Sequence, residues 1–234
     1  MRLAAGMVAG MVLAVSSASI FAVQPGGADA AKSAEVSFAF ERPGVPVPQF
    51  VLRVHEDGTG SYQAEEVEGP GDGGSVHYAA GKHIDSTMHL SPSMVAKIFG
   101  MARGLDRFKM ECESKKKNIA KTGKKTLSYA GSDGSGSCVF NYSDNKEIMA
   151  LGDTFLAIAN TMDEGRRLEF LHRYDRLGLD AEMSSLQEQA KTGRALELGT
   201  IAPVLTSIAR DTALMERVRM SAAKLLEQST VDKI

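Results

Sequence analysis

The sequence predicts an α+β protein: an antiparallel, strand-rich N-terminal half with one helix, followed by an all-helical C-terminal half. Three observations carry this. Across residues 31–148, apolar side chains recur at alternate positions in short runs bounded by turn residues. Across residues 149–234 they recur at intervals of three and four. The strands come first and the helices after, whereas an α/β fold would alternate them.

Val36, Phe38 and Phe40 alternate with Ser37 and Ala39, the pattern of a half-buried strand. Pro43, Pro46 and Pro48 impose an extended connection. Phe50, Leu52 and Val54 then alternate with Val51, Arg53 and His55. Asp57-Gly58 is a hairpin turn, and Tyr62 and Ala64 lie on the returning strand. Gly69 to Gly74 reads as a loop, with strands expected at Val76–Ala79 and Ile84–Leu90. Ser91-Pro92 opens a helix: a hydroxyl cap precedes a proline whose missing N–H does no harm there. Its expected buried stripe is Met94, Ile98, Met101 and Leu105. Lys125–Ala130 and Ser137–Tyr142 flank a Gly/Ser/Asp turn and form a second hairpin.

In the helical half, Leu151, Phe155, Ile158 and Met162 make one stripe. Gly165 is expected to end that helix and separate it from another carrying Leu168 and Leu171. Asp180 is the expected cap of a helix with Met183, Leu186 and Ala190, which stops at Gly193. Two further helices are expected at roughly 200–209 and 213–228, forming a hairpin over 199–229. The change of period near residue 148 marks either a domain boundary or the point where helices pack onto one face of the sheet. No Pro/Gly/Ser linker divides the halves, which favours packing.

Residues 1–30 read as a secretory signal peptide. Arg2 precedes an uncharged run from Leu3 to Val23, Pro25-Gly26-Gly27 breaks it, and Ala28-Asp29-Ala30 is a small-x-small cleavage site. Retention as an anchor is the alternative, weakened by Ser16, Ser17, Ser19 and two glycines. The expected location is the periplasm or the exterior, with no transmembrane segment left after cleavage. An oxidising compartment makes Cys112 and Cys138 a disulfide pair. That bond closes a loop of about 27 residues and contributes about 3.5 kcal/mol in the chain-entropy model.

The chain of 234 residues is 43% hydrophobic and 24% charged, which excludes disordered and fibrous classes, and its net charge of −2 gives no reason to expect nucleic acid. Two cysteines cannot make an all-Cys zinc site. Charge is locally uneven. Glu35 to Asp72 carries eight acids and two bases, whereas Lys97 to Lys125 carries ten bases and three acids. Lys115, Lys116, Lys117, Lys121, Lys124 and Lys125 form a candidate anion-binding stretch, against the plainer reading of neighbouring, mutually neutralising surfaces.

Catalytic patterns fail on context. Ser114-x-x-Lys117 and Lys121-Thr122-Gly123 match motifs of penicillin-binding enzymes, but they sit side by side where the chemistry needs a helix start and a distant strand. Gly131 to Gly136 is a turn, not a dinucleotide loop. His77, His83 and His89 share strand parity, which alone does not converge three ligands on a metal. His172, amid Arg166, Arg167, Arg173 and Arg176, reads as a solvated helix-face residue. No catalytic residue, metal or cofactor is assigned.

Pro203-Val204-Leu205, Asp211, Val218-Arg219, Ala222-Ala223 and Leu225-Leu226 resemble a single HEAT-type repeat, with the Asp-to-Val spacing one residue long. The resemblance implies that Asp211 and Arg219 order neighbouring helices, and that the C-terminal helices offer a surface to a protein partner. Phe50–Val54, Asp57-Gly58, Tyr62, Leu90-Ser91-Pro92 and Leu127–Tyr142 resemble a group of uncharacterised secreted bacterial α+β proteins, which implies a fold and no activity. The function expected from these readings is an exported, non-catalytic binding or envelope-associated interaction module. A hydrolase whose groups meet only in the fold, and binding to an anionic surface through the lysines, are the alternatives.

Overall fold

The computed structural model describes residues 33–67 and 82–231. The signal segment, the 69–74 loop, the strand expected at 76–79 and His77 lie outside the described residues. Six strands build one antiparallel sheet: β1 (Glu35–Glu41), β2 (Gln49–His55), β3 (Thr59–Glu66), β4 (Lys82–His89), β5 (Lys124–Gly131) and β6 (Gly134–Phe140). Their order is β4-β3-β2-β1-β5-β6. One helix, α1 (Pro92–Gly104), interrupts the strands, and four follow: α2 (Lys146–Tyr174), α3 (Leu179–Lys191), α4 (Ala202–Arg210) and α5 (Glu216–Val231). The fold is α+β with this division. Among the described residues, no helix is long and apolar enough to cross a membrane.

Register explains why one face of the sheet is buried. Tyr62 pairs with Leu52, Leu52 with Phe38, Phe38 with Leu127 and Leu127 with Cys138, so one inward row crosses five strands. Period-two geometry sends every alternate residue to that same side. The row meets α2, where the Phe155 ring stacks on Phe38 with centroids 5.3 Å apart. Leu151, Phe155, Ile158 and Met162 complete this core, as their spacing predicts, and Ile148 joins them.

Ser91 caps α1, its hydroxyl accepting from the Met94 N–H at 3.3 Å. Of the expected stripe Ile98 and Leu105 are buried, and Val95, Phe99 and Ala102 join them. Met94 and Met101 are only partly buried, because the helix is turned so that Phe99 reaches Tyr129 on the sheet.

Gly165 does not end α2, which runs unbroken to Tyr174. The glycine serves packing: a Cβ there would collide with the Ile201 side chain. The cap of α3 is Gly178, without a side-chain bond, and Asp180 lies inside the first turn, where it pairs with Arg217 of α5 at 2.7 Å. At the other end Gly193 adopts φ +70°. The Arg194 N–H bonds the Gln189 carbonyl at 2.8 Å and the Gly193 N–H that of Ala190 at 3.2 Å, a Schellman closure.

A second apolar core holds the helical end together. Leu168 of α2 joins Met183 and Leu186 of α3, Leu205 and Ile208 of α4, and Leu214, Val218, Ala222 and Leu225 of the last hairpin. Helix α2 therefore belongs to both cores. The disulfide Cys112–Cys138 is formed, with Cα atoms 5.7 Å apart. It ties the segment after α1 to the edge strand β6. Asp106, Arg107 and Phe108, all at positive φ, carry that segment past Gly136, where a Cβ would strike the Arg107 carbonyl.

Candidate functional site

The proline-punctuated β1–β2 connection stands off the sheet and faces α2, enclosing a cleft of about 630 Å³. The connection is held by backbone bonds from Arg42 N–H to Pro48 O at 2.7 Å and from Val67 N–H to Pro46 O at 2.9 Å. Val45, Pro46 and Val47 form one wall. Phe40 and Phe50, with ring centroids 5.3 Å apart, lie at its base. The facing wall is a single face of α2: Ala159, Asn160, Asp163, Glu164, Arg167 and Phe170, spaced by three and four. The apolar surface then continues into solvent. Phe170 is 59% exposed, and its ring meets that of Tyr174, 67% exposed, with centroids 5.1 Å apart. The Arg173 guanidinium lies over the Tyr174 ring.

The charged groups of this wall have partners on α2 itself, on β3 and on α3. The Tyr62 hydroxyl, from the buried face of β3, donates to Asp163 Oδ1 at 2.7 Å. Arg166 donates to the same oxygen at 2.7 Å and to Glu66 at 2.9 Å. Burial raises the Asp163 carboxyl despite its bonds to Arg166 and Tyr62. Burial and the neighbouring Asp163 charge raise the Tyr62 hydroxyl. One step along the helix, Gln189 of α3 donates to Glu164 Oε1 at 2.9 Å, and Arg167 Nε donates to Glu182 of α3 at 2.7 Å. These residues were invisible in the sequence as a site, since Tyr62 and Asp163 stand 101 positions apart. The available signal was Tyr62 itself: an inward-facing tyrosine requires a polar partner for its hydroxyl.

The lysine stretch lines a separate, larger cleft of about 1090 Å³, to which Lys116, Lys121 and Lys124 contribute. Lys115 and Lys117 are not among its lining residues. Three of the six lysines pair with a carboxylate: Lys115 with Glu111 at 3.1 Å, Lys116 with Asp144 at 2.6 Å and Lys124 with Glu41 at 2.9 Å. Asp144 raises the Lys116 ammonium, and Lys116 together with Ser114 lowers Asp144 in return. The Ser114 hydroxyl donates to that same carboxylate. Lys125 is buried, with Nζ donating to Asn141 O at 2.9 Å and Thr122 Oγ1 at 3.1 Å, and burial lowers its ammonium.

His172 is not a solvated helix-face residue. Its Nε2 lies 2.9 Å from Asp211 Oδ2, and its side chain is largely covered. Asp211 also accepts from Arg176 at 3.3 Å and from the Ala213 N–H at 2.9 Å, and these bonds, that to His172 foremost, lower its carboxyl. Asp211 thus ties the α4–α5 link to α2. Arg219 keeps its Nε buried without a partner among the described residues. His83 pairs with Glu65 at 2.7 Å. Among the described residues, no group of three or more His, Cys, Asp or Glu is placed to hold a metal ion. No family model matches the chain, and no curated protein matches it.

Proposed function

We propose that the protein is an exported, non-catalytic binding module that holds an extended segment of a partner protein in the cleft between the β1–β2 connection and α2. The observation that carries this is the continuity of the cleft's apolar lining with the exposed Phe170–Tyr174 pair. Large apolar patches that meet solvent mark interaction surfaces. Aromatic side chains and arginines are the residue types enriched at protein interfaces, and Arg167, Phe170, Arg173 and Tyr174 supply both within two helical turns. Asp163 and Arg166 already bond each other, Tyr62 and Glu66, and Arg167 pairs with Glu182, so the wall's apolar parts are left to meet a ligand. The favoured occupant is a chain segment with aliphatic or aromatic side chains at alternate positions. Export is supported by the pattern of residues 1–30 and by the Cys112–Cys138 bond.

The test places a photoreactive phenylalanine analogue at position 170 in the native host, with the same label at exposed position 224 of α5 as control. A crosslinked protein species is expected at 170 and not at 224. Tyr174→Asp should lower its yield at least about tenfold, as for an interface hot spot. Equal labelling at both positions, or a yield indifferent to Tyr174→Asp, would overturn the reading.

A further inference from the structure

We propose that the cleft of about 1090 Å³ beside the lysine stretch binds a small organic anion, a phosphate or carboxylate on an apolar body, and that Arg42 and Lys121 hold its charged group. The proposal stands apart from the reading of the cleft that faces α2, although Arg42 lines both.

The inference begins with which charges in the cleft are already engaged. Its lining carries four cations, Arg42, Lys116, Lys121 and Lys124, against two carboxylates, Glu41 and Glu113. Lys124 pairs with Glu41 at 2.9 Å, and Lys116 pairs with Asp144 at 2.6 Å. The other lining carboxylate, Glu113, accepts from the Asn141 N–H. The side chains of Arg42 and Lys121 are exposed and make no hydrogen bond or ion pair among the described residues. The lining is net positive, and its free charge belongs to these two groups rather than to the lysine run as a whole.

The fold brings the two together on fixed backbone. The Asn141 side chain grips the chain on either side of Lys121. Its Oδ1 accepts from the Thr122 N–H at 2.7 Å, and its Nδ2 donates to the Ala120 carbonyl at 2.9 Å. Two residues after Lys121, the chain passes so close to β1 that a Cβ on Gly123 would strike the Phe40 ring and lie 3.2 Å from the Arg42 Cβ. Arg42 is fixed in turn by its N–H bond to the Pro48 carbonyl at 2.7 Å. Cations rooted in backbone held this way lose less freedom on binding than cations on a loose loop. A guanidinium meets two oxygens of a phosphate or carboxylate at once, and an ammonium adds a point charge beside it.

The rest of the lining sets the ligand class. Pro43, Pro48, Ile119 and Val139 add apolar surface, and Val139 is 48% exposed. An inorganic ion leaves that surface in water, whereas an anion with an apolar body covers it.

Amide proton–nitrogen NMR spectra of the protein, titrated with phenyl phosphate and with benzoate, test this. At least one probe should give saturable shifts gathered at Arg42, residues 118–123 and Asn141. Inorganic phosphate should bind at least about tenfold more weakly, for want of an apolar body. Arg42→Gln and Lys121→Gln should each weaken the organic probe about tenfold, as expected when a charged hydrogen bond is lost. Neither side chain holds a bond in the fold, so both variants should keep the urea midpoint of the unmodified protein. Lys115→Gln removes a neighbouring cation outside the lining and should change the affinity by less than about twofold. Shifts that do not saturate with either probe overturn the proposal, as do shifts scattered over the surface. Weakening by Lys115→Gln equal to that by Lys121→Gln reduces the effect to general surface charge and also overturns it. Inorganic phosphate binding as tightly as both probes ends the organic class. Saturable binding here without a crosslink at 170 would remove the reading of the α2 cleft and leave this site.

Discussion

Lys125 has a full cationic side chain on the buried face of the sheet, with two oxygen partners and the Phe140 ring beneath its ammonium. Burial disfavours its charge, and two neutral acceptors do not replace a hydration shell. Replacing it with an unbranched apolar residue removes the desolvation cost and keeps the packing of the stem. Lys125→Met is therefore expected to leave stability unchanged or raise it by about 1 kcal/mol, read from the urea midpoint. A loss above about 2 kcal/mol would show that the two bonds outweigh desolvation. Its burial removes Lys125 from the anion-binding stretch expected from the lysine run; that expectation overlooks its shared parity with Leu127 and Tyr129, which fixes the face. The Tyr62–Asp163–Arg166–Glu66 chain was not legible: each bond joins residues whose proximity depends on how α2 crosses the sheet, and no local pattern encodes a crossing.

At the scale of elements, local chemistry placed the starts and stops that have a short-range cause. Ser91 caps α1, and Gly193 closes α3, because hydrogen bonds within a few residues decide both. Gly165 misled because a glycine serves two purposes with one signature: it ends helices, and it lets another segment approach, here Ile201. Two substitutions separate these purposes. Gly165→Ala improves helix propensity by up to about 1 kcal/mol, yet its methyl meets Ile201, and overpacking costs about 1–3 kcal/mol. The net expectation is a loss of about 1–2 kcal/mol in chemical denaturation. Gly100 in α1 is exposed, and a Cβ there meets nothing within 4 Å, so Gly100→Ala should add about 0.5–1 kcal/mol. If both changes stabilise, the close approach at Gly165 is not what shapes the α2 contact.

For the whole molecule, two cores depend on α2 while the far edge of the sheet depends on a covalent tie. Strand β6 has one neighbour, β5, and its outer edge is covered by the left-handed Asp106–Phe108 turn and the segment that leads to Cys112. Three consecutive non-glycine residues at positive φ are unfavourable by about 1–2 kcal/mol each relative to ordinary helical backbone, so this cover needs an anchor. Arg107 supplies part of it through Asp133 at 3.0 Å, and Tyr129 also donates to that carboxylate. The disulfide supplies the rest. Cys112→Ser with Cys138→Ser should lower Tm by roughly 5–15 °C, from about 3.5 kcal/mol of lost loop constraint in a chain of this size. Reductant should do the same to the unmodified protein and nothing to the double variant. Exchange should rise first across 106–114 and β6, ahead of α3 to α5, because the second core contains no residue of that edge. The same bond links structure to location, since it persists only where thiols oxidise. Protein isolated from its native host should begin at Ala31 and weigh two hydrogens less than its reduced form. A polypeptide that begins at Met1 with both thiols alkylatable before reduction would place the chain in a reducing compartment, and would leave the strained edge cover without its covalent anchor.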